Sequence, residues 1–168
     1  MSVGKSLEPV EQRLCRRIAA ALREAVPDAA VEGNWLAETS GLVKGGAKMA
    51  ERGARFDVDV SPRGYETYSG VVAEMRVDVE GVFSAAFDAD LGRSVAAYAA
   101  VAALLGLWHR DLRAAKSALA DEGFAVTGMR LDQGEWEIDR ETRERRYSQS
   151  FYVRGVISGT ETERNSEQ

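Results

Sequence analysis

The sequence predicts an α+β domain, an antiparallel-rich (mixed) sheet of about four to five strands with helices packed on one face. Three observations predict it. The runs "RFDVDV", "VVAEMRVDVEGVF" and "RRYSQSFYVRGVIS" alternate strictly, with β-branched and aromatic residues on one side and polar ones mostly on the other. Two other segments carry their apolar residues at helical spacing or as a continuous alanine-rich run. The order along the chain is helix, loop, two strands, a helix or helix pair, then two or three strands. With 168 residues, 45% hydrophobic and 29% charged, the composition is that of one ordinary soluble globular domain with a real core. That domain is expected over 1–158, with a disordered polar tail at 159–168.

In "EPVEQRLCRRIAAALREAV", Val10, Leu14, Ile18, Leu22 and Ala25 form one apolar stripe, and Arg13, Arg16, Arg17 and Arg23 cover the remainder. Pro9 suits the first helical turn and Pro27 halts the helix. A short strand or turn is expected near Val31–Leu36. The glycines that follow, Gly41, Gly45, Gly46 and Gly53, predict a mobile loop over 37–54. Phe56, Val58 and Val60 then face one way, with Asp57 and Asp59 opposite. The turn-rich "SPRGYETYSG" joins this run to the next, in which Ala73, Met75, Val77, Val79 and Phe83 share a face and Glu74, Arg76, Asp78 and Glu80 share the other. An antiparallel hairpin results, and its charged face meets water or a partner.

Ser94 is a candidate N-cap for the following helix. Gly106 either separates a buried helix (about 95–108) from a more polar one (about 109–122), or lies inside one long bent helix. Gly123 ends the segment. Phe124–Leu131 and Glu135–Ile138 supply one or two strands, and the charged turn "DRETRERR" leads into the closing strand, which pairs with Glu135–Ile138 as a hairpin.

Little in the chain points to catalysis. "GLVKGGAK" has Ala47 where a phosphate loop needs lysine, and "VGKS" lacks the upstream glycine. His109 is the one histidine, and Asp111, two residues on along a helix, points away from it. Cys15 sits in the helical stripe as a small, partly buried residue. Asp57 with Asp59 could hold a divalent ion or act as acid and base, but an exposed hydrophilic face is the favoured reading. "FDADLG", with Asp88 and Asp90, lacks the further oxygen ligands of a calcium loop. No catalytic, cofactor-binding or metal site is expected. The net charge of −5 argues against broad nucleic-acid binding, and the longest apolar run is too short to span a bilayer. The N-terminus has no apolar signal-like segment. Arg140, Arg143, Arg145 and Arg146, interleaved with Asp139, Glu141 and Glu144, form either a solvated turn or a register-setting contact between subunits.

The segments "RRIAAALREAVP", "RFDVDV", "EMRVDVEG", "DADLGRSVAAYAAVAALLG" and "GEWEIDRETRERRYSQSFYVRG", in this order, resemble the tail-terminator (tail-completion) proteins of long-tailed bacteriophages of the lambda type. The resemblance covers roughly residues 7 to 158. The long Gly-rich segment and the added helix "RDLRAAKSALADEG" depart from it. It implies a ring of six subunits that caps the tail tube, meets the tube protein and the head–tail connector, and needs no cofactor. Its place would be the host cytoplasm during assembly and then the virion tail. On that reading Arg76, Asp78, Glu80, Arg143, Arg146 and Arg154 are candidate subunit contacts, and Lys44, Lys48 and Arg52 candidates for the tube or lumen side. Two alternatives stand beside it: another tail-tube or head–tail joining protein of similar topology, and a small dimeric ligand-binding or regulatory domain with a pocket under the Ala-rich helix.

Overall fold

The computed structural model describes residues 9–34, 53–67, 71–87 and 92–157. The expectations for Lys44, Lys48, Arg52, Asp88, Asp90 and the polar tail lie outside these residues. Of the loop expected at 37–54, only Gly53 and Ala54 fall inside them, and Ala54 already opens a strand.

Helix α1 (Val10–Ala25) buries Val10, Glu11, Leu14, Cys15, Ile18, Ala19 and Leu22; of the predicted stripe, Ala25 stays partly exposed. Pro9 stands just outside the first turn. Its carbonyl accepts from the N–H groups of Gln12 and Arg13 at 3.1 and 3.2 Å. Strand β1 (Ala30–Asn34) pairs in parallel with β2 (Ala54–Thr67), Val31 beside Phe56. β2 pairs antiparallel with β3 (Val71–Phe83), as expected, but the hairpin is longer than its turn signals suggest. The stretch read as a turn from Ser61 onward continues as strand to Thr67. A bulge between Pro62 and Gly64 absorbs the proline, which cannot donate to the ladder.

Helix α2 (Arg93–Arg110) and helix α3 (Leu112–Leu119) are separate, and the break is at Asp111 rather than Gly106. Asp111 is extended, and its carboxylate accepts from the N–H groups of Arg113 and Ala114 at 3.0 and 3.4 Å. A side-chain cap thus starts a new helix where a mid-helix glycine did not end the old one. Ser94 is not the N-cap. Gly92 holds that position at φ 65°, and Ser94 is buried in the first turn, its Oγ accepting from Arg145 at 3.4 Å.

Strand β4 (Phe124–Ile138) is one continuous strand with two bulges, and it forms the expected hairpin with β5 (Arg145–Ile157). The five strands lie in the order β1-β2-β3-β5-β4. All three helices pack on one face. Phe56, Val58, Met75, Val77, Phe83, Phe151 and Val153 from the strands meet Leu14, Ile18, Leu22, Val101, Leu105 and Trp108 from the helices. Each fully buried side chain of this size contributes about 1.5–3 kcal/mol before entropy is counted. Gly81 belongs to that face, where a Cβ would lie 2.6 Å from the Phe56 ring. An ion pair, Arg13 Nε to Asp121 Oδ2 at 2.9 Å, ties α1 to the turn that opens β4.

Candidate functional site

The period of two that fills the core also builds the opposite face of the sheet. β2 presents Arg55, Asp57, Asp59 and Arg63 there, and β3 presents Glu74, Arg76, Asp78 and Glu80. β5 presents Arg146, Ser150, Tyr152 and Arg154, and β4 adds Arg130, Glu135 and Glu137. No described helix covers this face.

Its charges are paired within and across strands. Arg55 is almost fully buried and grips Asp57, Nε to Oδ2 at 2.8 Å. Arg76 Nε donates to Asp78 Oδ1 at 3.1 Å, and this hydrogen bond holds the guanidinium firmly protonated. Ser150 links the same pair: its Oγ donates to Asp78 at 2.6 Å and accepts from Arg76 at 3.1 Å. Glu74 lies 3.5 Å from Arg63 and 3.9 Å from Arg154, while Arg146 reaches Glu80 at 3.9 Å and Glu144 at 3.7 Å. Tyr152 is the buried centre of this face. The guanidiniums of Arg130 and Arg63 lie 4.3 and 5.0 Å from its ring centroid, and its hydroxyl donates to Asp132 at 3.4 Å.

On β2 the pairing is incomplete. Asp59 lies directly opposite Asp78, and Asp57 opposite Glu80. Burial, reinforced by Asp57, Asp78 and Glu80 and opposed by Arg55, pushes the Asp59 carboxyl up to about 6. Asp59 Oδ1 and Arg55 Nη1 are buried with no hydrogen-bond partner. The expectation of a simply exposed hydrophilic face therefore fails on β2, where Arg55 is buried and Asp59 half-buried. Among the described residues no group of three or more histidines, cysteines or carboxylates is arranged to hold a metal ion, and no helix is long and apolar enough to cross a membrane.

Of the residues singled out as candidate contacts, Arg76, Asp78, Glu80, Arg146 and Arg154 share this face, each with roughly half its side chain open to water. Arg143 does not join them. It lies in the β4–β5 turn at φ 59°, where Asp139 organises the chain. The Asp139 carboxylate accepts from the N–H groups of Thr142 and Glu141, which hold it below the usual carboxylate range. Sequence reasoning missed Arg55 and Tyr152. The signal for Arg55 was the Arg-x-Asp spacing that recurs as "RFD" and "RVD", which puts cation and anion on one face of each strand. His109 lies in the last turn of α2 and accepts the Leu131 N–H at 3.4 Å. The Cys15 thiol is buried and donates to the Val58 carbonyl at 3.3 Å.

No family model matches the sequence, and no curated protein is similar to it. Among solved structures the chain is similar to one described as the virion of a native gene transfer agent particle, with 19% identity and a TM-score of 0.40. The likeness covers 88% of this chain and 91% of that one.

Proposed function

We propose that this chain is a non-enzymatic assembly protein of a phage or prophage tail, of the tail-terminator type, acting as a ring that caps the tail tube and joins it to the head connector. The observation that carries the reading is the open sheet face. Five strands place an ion-paired lattice around Tyr152 on one side and pack every described helix on the other. Paired, partly exposed charges on a rigid sheet suit contact with another protein surface, where they set register and partner choice more than raw affinity. The order of elements and the sequence resemblance support the same role. Contacts in such a ring are heterologous and must close under rotation. The rival ligand-binding domain needs room between the sheet and the Ala-rich helix. That space is filled by Val101, Leu105 and Trp108, with the Trp108 ring 6.3 Å from Phe151.

Native mass spectrometry over a range of protein concentration and ionic strength tests the proposal. A discrete six-subunit species that weakens with salt is the expected result. A closed dimer under every condition would overturn it.

A further inference from the structure

The sheet has two edges, and they differ. β1 is 5 residues long, whereas β4 runs for 15 and among the described residues is paired on one side only, by β5. In an antiparallel pair, residues bonded to the partner strand alternate with residues whose N–H and C=O point the other way. The Asp139 N–H donates to the Glu144 carbonyl at 2.8 Å and sets the phase of that alternation. Counting back, Ile138 opposite Arg145, Trp136 opposite Tyr147 and Gly134 opposite Gln149 turn their backbone groups outward. Beyond the bulge, Leu131 is also turned outward, because its N–H donates to His109.

Helix α2 lies along this edge. The Tyr98 ring is 5.0 Å from the Trp136 ring at one end, and His109 meets Leu131 at the other. The stretch of helix from Tyr98 to His109 and the stretch of strand from Leu131 to Trp136 both measure about 16 Å, so the two run side by side. His109 closes the edge at Leu131 and leaves Gly134–Ile138 open. Ile138 is 54% exposed and Val95 50%, and Val95 follows the serine that Arg145, the cross-strand partner of Ile138, reaches.

The charges beside this edge are unlike the arginine-paired carboxylates of β2 and β3. Asp57, Glu74, Asp78 and Glu80 each have an arginine. Glu135 and Glu137, on either side of Trp136, are exposed and make no ion pair among the described residues.

We propose that the open Gly134–Ile138 edge receives an extended, basic segment of a partner protein as a sixth strand. Its main chain bonds to Gly134, Trp136 and Ile138, its lysines or arginines lie beside Glu135 and Glu137, and an apolar side chain covers Ile138 and Val95. Strand addition of this kind takes affinity from the main chain and specificity from alternate side chains. A second copy of the chain is a poorer match, because its β1 edge brings Glu32 and no cation, and its own Gly134–Ile138 edge brings the same two glutamates. The proposal rests on this edge of the single chain and not on the ring, so loss of the ring leaves it standing.

The test titrates the full chain, labelled for NMR, with a short synthetic peptide of alternating lysine and valine. Amide exchange should slow at Gly134, Trp136 and Ile138 and stay unchanged at Glu135 and Glu137, whose N–H groups already serve β5. Glu135→Lys combined with Glu137→Lys should weaken that peptide about tenfold and admit a glutamate–valine peptide instead. Ile138→Pro removes an outward N–H and should reduce binding; should that chain unfold, the charge-reversed one still decides. No slowing, or slowing without the alternation, would overturn the proposal. So would slowing at the same amides on raising protein concentration without peptide, which would assign the edge to a second copy.

Discussion

Asp59 carries the sharpest electrostatic consequence. Its carboxyl, at about 6 in the folded chain against an ordinary 3.8, binds its proton more tightly when folded. The folded state therefore gains stability at low pH and loses it as pH rises from about 4 to about 6. Asp59→Asn should flatten that slope in chemical denaturation. Because the side chain is half open to water and screened, the gain at pH 7 should be about 1 kcal/mol. A steeper slope in the variant would contradict the assignment. Gly81 is the steric counterpart. Gly81→Ala drives a methyl group into the Phe56 ring and should cost about 1–3 kcal/mol, part of which Phe56→Leu in the same chain should recover. Single residues of this kind were only half legible in the sequence. The alternation in "EMRVDVEG" put Arg76, Asp78 and Glu80 on one face correctly. The opposition of Asp59 to Asp78 depends on cross-strand register, which alternation within one strand does not reveal.

The elements divide by how local their causes are. β5 was legible almost to its ends, because an alternating run with β-branched and aromatic residues has one half-buried solution. So was the buried stripe of α1. The extension of β2 through Pro62 was not, since Pro and Gly locally signal a turn and pairing with Met75 and Glu74 overrides them. The parallel pairing of β1 was equally hidden, because it depends on where α1 delivers the chain. The break between α2 and α3 shows a local signal misjudged. Gly106 drew attention as a breaker, but Asp111 is the residue that caps. Asp111→Ala should cost about 1 kcal/mol in thermal or chemical unfolding and lower protection of the α3 amides first. An unchanged melting profile would remove the cap from the account.

The whole molecule is a sheet with two unlike sides. One is spent on the core, where Phe83, Trp136, Tyr147 and Tyr98 form a linked aromatic cluster beneath the β4–β5 hairpin. Burial, and then the neighbouring Tyr98, raise the Tyr147 hydroxyl well above its usual range, so it stays neutral across the pH range in which the protein is handled. The other side is charged, ordered and uncovered by any described helix, and the proposal that it meets neighbouring subunits is the centre of this account. Its most direct test is sedimentation velocity of the wild-type chain beside one carrying Arg76→Glu and Arg154→Glu, with circular dichroism on both. The wild type should form a closed oligomer that dissociates as salt rises, and the variant should keep its fold but sediment as the single chain at concentrations where the wild type is assembled. A variant that assembles as the wild type does, at every salt concentration, would contradict the proposal.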